Sequence, residues 1–270
     1  MFNGVGEYQG NGIWKNIGNI DGEPPRLVYY HDGNSPAIYA LGYFSGIGEA
    51  TTGGFAKWDG VRWSNPWPPP ISIGNGARCA VVWDDGFGPA IYTNLRPQIN
   101  GVVHTGIHRW TAEGWEVVFE FPISTQIHDM KVFDDGRGPA LYLSGLFDMI
   151  GGVAAKNIAR WDGKTIEPLG AGVGSLSRQM LVIETARGRA LFAKTGTTAG
   201  GGTVQRAAIW VGCPNCYADC NLDGQLTVAD FACFTAKLSQ NDPYANCTVD
   251  GQIDVADYIC FISRYAAGCP

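Results

Sequence analysis

The sequence predicts a mainly β protein, a β-propeller of four blades over residues 1–212 followed by a small α-helical, disulfide-stapled domain over residues 213–270. Three observations carry this reading. A pattern about fifty residues long recurs four times, seven of the eight cysteines crowd into the final 58 residues, and the charge divides at the same boundary.

The repeats are anchored by their turns. Tyr30-His-Asp-Gly-Asn-Ser-Pro36 and Trp83-Asp-Asp-Gly-Phe-Gly-Pro89 both precede Ala-Ile-Tyr, and Phe133-Asp-Asp-Gly-Arg-Gly-Pro139 precedes Ala-Leu-Tyr. A fourth, Ile183-Glu-Thr-Ala-Arg-Gly-Arg189 before Ala-Leu-Phe, is degenerate; Pro36, Pro89, Pro139 and Arg189 stand 53, 50 and 50 apart. A second landmark follows each of these: Lys57-Trp58-Asp-Gly, Arg109-Trp110-Thr-Ala-Glu-Gly, Arg160-Trp161-Asp-Gly and Ile209-Trp210.

One repeat therefore reads as an alternating strand such as Met130-Lys-Val-Phe, a tight Asp-Gly turn and a second strand such as Ala140-Leu-Tyr-Leu-Ser. After a Gly-rich loop, strand three (Asn157-Ile-Ala-Arg-Trp161) turns through Asp162-Gly163 into strand four, Thr165-Ile-Glu-Pro-Leu169. Four short antiparallel strands in that length match a propeller blade. The fourth repeat stops after its third strand, at Trp210, while the chain opens on Tyr8-Gln-Gly-Asn-Gly-Ile-Trp14-Lys-Asn-Ile-Gly18, a third strand, turn and fourth strand. The N-terminal strand is thus expected to complete the last blade and remove an exposed edge. These repeats, above all Asn157-Ile-Ala-Arg-Trp-Asp-Gly163, resemble the propeller-like repeats common in large secreted proteins of planctomycete-type bacteria. The resemblance implies an architecture and a surface setting.

Residues 213–270 hold seven Asp, no Glu, one Lys and one Arg, and so carry −5 of the net −6. Neither half has the basic patch that phosphate backbones require, so nucleic acid is not an expected partner. No apolar run approaches the roughly 20 residues that span a bilayer. Clustered cysteines argue for an oxidising compartment, extracellular or at the cell surface. Met1-Phe-Asn-Gly-Val-Gly has neither the basic start nor the apolar stretch of a signal peptide, so the chain reads as a mature form or a piece of a longer one.

A calcium loop of the EF-hand type places oxygen ligands at positions 1, 3, 5, 7, 9 and 12, with Gly at 6 where the chain turns around the ion. Asp219, Asn221, Asp223, Gly224, Gln225, Thr227 and Asp230 fill those positions, Asp replacing the usual Glu at 12. A second loop begins 27 residues later with Asn246, Thr248, Asp250, Gly251, Gln252, Asp254 and Asp257. Each loop offers three carboxylates, so two Ca2+ ions are expected, and Leu226 and Ile253 at position 8 are expected to form a short β bridge. Apolar stripes at helical spacing follow: Phe231, Phe234 and Leu238, then Tyr258, Ile259, Phe261, Ile262 and Tyr265. So few core residues leave much of the stability to ions and cross-links. Cys220 and Cys247 sit at loop position 2, and Cys233 and Cys260 one helical turn past position 12. The symmetry suggests two equivalent bridges, although spacing alone does not fix connectivity.

This tandem resembles a type I dockerin, in which duplicated Asp-rich loops, each followed by a helix, bind a cohesin receptor on another protein. The resemblance covers residues 219–266 and implies partner contacts at loop positions 10 and 11, here Val228 with Ala229 and Val255 with Ala256. These replace the hydroxyl pair often found there, and the cysteines are an addition to the ordinary dockerin pattern.

Other constellations take plainer readings. Cys213-Pro-Asn-Cys216 is a structural disulfide before it is half a zinc site or a redox pair. His104 and His108 are spaced for a metal on a helix but fall where a strand begins, too far apart to share an ion. Asp84, Asp85, Asp134 and Asp135 are turn residues before they are acid and base partners. Gly170-Ala-Gly-Val-Gly174 is a loop between blades, because no helical pattern follows it. The nine Trp are blade core before they are a ligand platform, with Trp63, Trp67 and the stretch Pro66 to Pro70 the alternative, an exposed aromatic patch. The expected function is accordingly a non-enzymatic extracellular binding or scaffold protein with a calcium-dependent docking module and a cohesin-like partner. The alternatives are a carbohydrate-active enzyme delivered by its dockerin, with carbohydrate as ligand, and self-association in which the N-terminal strand completes a neighbour's last blade.

Overall fold

The computed structural model describes the chain apart from residues 1–2, 67–76, 100, 136, 175–177, 186–187, 195–197, 200–201, 204–206, 212–217, 222–225, 249–251 and 268–270. The protein is mainly β, built of several small antiparallel sheets, and ends in two helices. Met1–Val132, Leu141–Gln179 and Lys194–Arg206 form one compact unit; Phe133–Ala140, Met180–Ala193 and Ala207–Pro270 form the other.

An N-terminal hairpin of β1 (Gly4–Tyr8) and β2 (Trp14–Asn19) comes first. The first repeat holds β3 (Arg26–His31), β4 (Pro36–Leu41), β5 (Gly46–Ile47), β6 (Ala50–Thr51), β7 (Phe55–Trp58) and β8 (Trp63–Ser64). The second holds β9 (Ala80–Asp84), β10 (Pro89–Thr93), β11 (Gln98–Ile99), β12 (Val102–Val103), β13 (Gly106–Thr111) and β14 (Gly114–Glu120). The third holds β15 (Gln126–Asp134), β16 (Pro139–Leu146), β17 (Met149–Ile150), β18 (Val153–Ala154), β19 (Ile158–Trp161) and β20 (Ile166–Pro168). The fourth holds β21 (Met180–Thr185), β22 (Gly188–Lys194), β23 (Thr198–Ala199), β24 (Gly202–Thr203) and β25 (Ala207–Val211). Helices α1 (Val228–Ser239) and α2 (Val255–Ala267) close the described chain.

Each of the first three repeats folds as the expected four-stranded meander, in the orders β3-β4-β7-β8, β9-β10-β13-β14 and β15-β16-β19-β20. The fourth is three-stranded, β21-β22-β25, as its missing fourth segment requires. The loop between second and third strands is more ordered than its glycines suggest, because in every repeat it makes its own two-residue hairpin.

Aspartates fix the turns by accepting backbone amides. Asp59 Oδ1 takes the amides of Val61 and Arg62, both at 2.8 Å, and Asp162 Oδ1 those of Lys164 and Thr165. Gly60 and Gly163 between them adopt φ of 97° and 96°, which a side chain would oppose. Asp84 and Asp134 do the same work in the first-to-second-strand turns.

Asp32 and Asp85 do something the turn reading did not anticipate. Asp32 Oδ2 meets Lys57 Nζ and accepts from the Tyr39 hydroxyl at 3.0 Å; Asp85 meets Arg109 Nη1 at 3.2 Å. Burial alone would raise the Asp32 carboxyl, but Lys57, the Ser35 and Asn34 amides and Tyr39 hold it far below the ordinary range. Asp, Tyr seven later and a basic residue 24 or 25 later recur as Asp85, Tyr92, Arg109 and as Asp135, Tyr142, Arg160, where Asp135 also meets Arg137 at 2.6 Å. In the degenerate repeat all three positions are uncharged together: Thr185, Phe192 and Ile209.

The landmark tryptophans join neighbouring repeats. Trp110 of the second packs on Tyr30, Tyr39 and Phe55 of the first at centroid distances of 5.9, 5.0 and 5.2 Å. Trp161 of the third packs on Trp83, Tyr92 and Phe119 of the second at 5.2, 5.8 and 5.6 Å. The Tyr30 hydroxyl donates across the same seam to Pro89 O at 2.9 Å.

The N-terminal hairpin departs from expectation. Its strands pair only with each other among the described residues, so β1 does not complete the fourth sheet. The first repeat holds it instead: Ile17 and Ile20 pack with Phe44, Ile47 and Trp63, and the Trp63 indole donates to Ile17 O at 2.8 Å. Trp63 is consequently 7% exposed and lines no aromatic patch; Trp67 and residues 67–70 lie outside the described residues. Added as a Cβ, an atom on Gly48 would touch Trp63 and Gly18, and one on Gly151 would meet Ile166 and Phe119. Strand β2 thus faces the first repeat as β14 faces the third.

Removing one partner of a buried pair strands the other charge. Asp85→Thr leaves Arg109 with Glu116 alone, at 2.6 Å from its Nε, and is expected to cost about 2 kcal/mol in urea denaturation, while Asp85→Thr, Tyr92→Phe and Arg109→Ile together, copying the fourth repeat, cost less than the single change.

Candidate metal centre

The two loops are positioned by the helices they open. Thr227, loop position 9, is the N-cap of α1, and its hydroxyl accepts from Ala229 N. Asp230, position 12, closes the capping box by accepting Thr227 N on Oδ2 at 2.8 Å, and reaches back across the loop to Asn221 N at 3.3 Å with Oδ1. The second loop repeats this. Asp254 Oδ1 accepts Ala256 N at 2.7 Å, Asp257 Oδ2 accepts Asp254 N at 2.9 Å, and Asp257 Oδ1 accepts both the amide and the hydroxyl of Thr248. One short carboxylate in each loop thus ties position 3, position 9 and a helix N-terminus together, a span that sets Asp at this place.

Both position-12 residues are shut off from solvent: Asp230 and Asp257 are 0% exposed, and Asp219 at position 1 is 5% exposed. The Thr248 and Asp254 amides, followed by the Thr248 hydroxyl, lower the Asp257 pKa. Tyr244, which no loop pattern singles out, is pushed up to about 12 by burial and then by the charges of Asp219 and Asp230, so it stands close to both. Lys237, the one lysine of the module, is turned toward Asp242 at 3.3 Å.

Asn246, position 1 of the second loop, supplies the test of fit. Its Oδ1 is buried and has no hydrogen-bond partner among the described residues. A buried carbonyl oxygen without a donor is costly and calls for something to coordinate it. Asp223, Gln225 and Asp250 lie outside the described residues. Gln252 and Asp254 are exposed. Among the described residues no three His, Cys, Asp or Glu converge on one point, and each loop's third carboxylate is one of the residues outside them. The oxygen-only donor set nevertheless suits a hard cation such as calcium.

Two disulfides, Cys220–Cys233 and Cys247–Cys260, each span 13 residues and carry out the symmetrical pairing; they are compatible with a secreted protein. Cys213, Cys216 and Cys269 lie outside the described residues. Around the bridges Phe234 and Phe261 stack at 4.1 Å, with Phe231, Leu238, Tyr258 and Tyr265 beside them. Leu226 and Ile253 join this core side by side with it and form no β bridge among the described residues. Ile259 and Ile262 leave it, at 60% and 38% exposure, because Tyr258, Phe261 and Tyr265 already take the inward face of α2. With Val255, 71% exposed, they make an outward apolar stripe at i, i+4 and i+7. Val228 is 83% exposed, and Ala229 and Ala256 are exposed beside the two valines.

His104 and His108 are nearer than an extended strand would set them, with ring centroids 6.5 Å apart, because β13 begins only at Gly106. His104 Nδ1 is engaged by Glu120 Oε1 at 2.7 Å, and burial, then His104, push His108 down to about 4. The pair is a neutral, packed imidazole beside a surface ion pair. Among the described residues no helix is long and apolar enough to cross a membrane. Compared with known protein families, curated proteins and solved structures, the chain finds no match.

A carboxyl whose folded pKa is depressed stabilises the fold above its unfolded value, about 3.9, and loses that contribution as pH falls through the folded value. In chelator, the amide resonances of Thr248 and Asp254 are therefore expected to hold from pH 7 to about 5 and to shift toward unfolded positions between roughly pH 4 and 2. Asp257→Asn is expected to remove this acid transition.

Proposed function

We propose that residues 219–266 are a dockerin-like module that takes two Ca2+ ions and docks a cohesin-like protein partner, carried on a β-propeller that serves as a non-enzymatic extracellular scaffold. The observation that carries the reading is the orphaned Asn246 Oδ1 in a loop whose fully buried Asp257 has only amides and a hydroxyl as donors. The module's seven Asp face two basic residues, of which Lys237 is paired with Asp242 and Arg264 Nη2 donates to Cys247 O, so the excess of carboxylates makes an external divalent ion the natural counter-charge. Asp219, Asn221, Asp223, Gln225, Thr227 and Asp230 would hold one ion, and Asn246, Thr248, Asp250, Gln252, Asp254 and Asp257 the other. The stripe of Val255, Ile259 and Ile262 is the surface the docking reading needs.

Propeller geometry is supported by the repeated meanders, by β3 lying beside β9, and by tryptophans that lock the second repeat to the first and the third to the second. The hairpin of β1 and β2 fits as the outer half of a blade, since β2 meets the first repeat as β14 meets the third. A second reading, self-association, has one observation in its favour: the fourth sheet ends at β25 with a single described neighbour, β22.

Calcium titration is expected to shift the Asn246 side-chain and Thr248 amide resonances saturably, with a dissociation constant between roughly micromolar and millimolar. Partners drawn from the native extracellular fraction should appear with calcium, vanish with chelator, and be lost on Ile259→Asp, which leaves the calcium shifts intact. Equal recovery with and without chelator would refute docking, and silent resonances would refute the ion. Light scattering over a hundredfold concentration range decides the second reading: an invariant monomer dismisses it.

A further inference from the structure

We infer a second binding site, independent of the calcium module, that takes a carboxylate-bearing, ring-sized organic anion between Arg78 and Arg96. A cavity of about 260 Å³ lies among the first three repeats, lined by Tyr43, Arg78, Arg96, Phe121, Ile123 and Thr125 among others, and among the described residues no acidic one lines it. Its size, just under the ~300 Å3 at which pockets for drug-sized ligands begin, suits one ring.

The chemistry of the walls is divided. Tyr43, Phe121 and Ile123, the last 71% exposed, offer apolar and aromatic surface. Arg78 lies over the Tyr43 ring at 5.8 Å, which steadies its guanidinium without neutralising it. Arg96 is half-buried, and its side chain has no hydrogen-bond or ion-pair partner among the described residues. Arginine in a cleft without an acid is arranged for an anion, because its planar fork takes both oxygens of a carboxylate.

The repeat explains why positive charge collects here in a chain of net charge −6. Pro25, Arg78, His128 and Arg178 occupy one repeat position, 53, 50 and 50 apart, the same intervals as the turn prolines. They precede or open the first strand of each repeat and therefore gather at one end. His128 senses this, since burial first and then Arg78 and Arg178 lower its pKa. Arg26 Nε donates to Arg78 O at 2.9 Å and adds its charge beside them. Of the acidic groups nearby, Asp129 is already paired with Lys131 at 2.9 Å, and Glu120, opposite Gly106 in the sheet, is engaged by His104 at 2.7 Å. Asn94, which also lines the cavity, is committed to the fold: its Oδ1 accepts from the amides of Arg78 and Cys79, and its Nδ2 donates to Ile127 O. The two arginines are the charged groups left to meet a ligand.

The test is an NMR titration of the whole chain with four probes: glucuronate, its neutral counterpart glucose, benzoate and its neutral counterpart benzamide. The expected result is a saturable shift of the Ile123 and Thr125 amides with glucuronate, benzoate or both, absent with the neutral counterpart and weakened by added salt. Arg96→Met should weaken that binding about 10-fold or more, the worth of a charge-assisted hydrogen bond. Glucuronate against benzoate separates an acidic sugar from an aromatic acid within the same chemistry. The inference is overturned if neither carboxylate shifts these amides, if the neutral counterparts bind as well, or if Arg96→Met binds like the parent. Should Arg96→Met fail to fold, the contrast between each acid and its neutral counterpart on the parent chain decides alone. Calcium loading of the loops is expected to change none of these shifts.

Discussion

A carboxylate out of water must be answered by donors or by a cation, and both parts of this protein are organised by how they answer. In the repeats the cation is built in: Lys57 meets Asp32, to which the Tyr39 hydroxyl also donates, and Arg109 meets Asp85. In the C-terminal loops Asp230 and Asp257 accept from amides and one hydroxyl among the described residues, and the module's lysine is spent on Asp242. The same physical demand thus gives a self-contained lock in one place and a reason for an external ion in the other.

The lock in the repeats does more than hold a turn. Its tyrosine, Tyr39 or Tyr92, is also the ring on which the next repeat's Trp110 or Trp161 rests. Charge neutralisation within a repeat and aromatic packing between repeats therefore share one residue, and a change in either is felt by both. The fourth repeat is informative because it drops the acid, the tyrosine hydroxyl and the base as a set. Losing the acid or the base alone would unbalance the pair, whereas Thr185, Phe192 and Ile209 together carry no charge.

Much of this was legible in the residues. Asp-Gly turns and alternating strands gave the meanders, and the 27-residue period gave both the pairing of loops with helices and the symmetrical disulfides. What was not legible depended on which of two neighbouring aspartates turned inward. Asp84 and Asp85 read alike and both accept turn amides, yet Asp85 alone also takes Arg109, a distinction visible only in the interval to Tyr92 and Arg109. Periodicity likewise marked Ile259 and Ile262 as core because it registers apolar spacing, not which face a crowded partner leaves free. The N-terminal hairpin was read correctly as two strands and assigned to the wrong neighbour, since nothing in β1 announces that Trp63 will bind Ile17 O.

The two loops are not equal, and counting lone pairs says why. An ionised carboxylate offers about four acceptor sites. Asp230 gives one to Asn221 N and one to Thr227 N, leaving about two for an ion, while Asp257 gives sites to Thr248 N, the Thr248 hydroxyl and Asp254 N, leaving about one. Position 1 is Asp219 in the first loop and neutral Asn246 in the second. A divalent ion proposed for these loops thus meets more free anionic oxygen in the first, and the second depends more heavily on the orphaned Asn246 carbonyl. The extra bond from the Thr248 hydroxyl to Asp257 is thus one that the proposed ion would have to share in the second loop and not in the first.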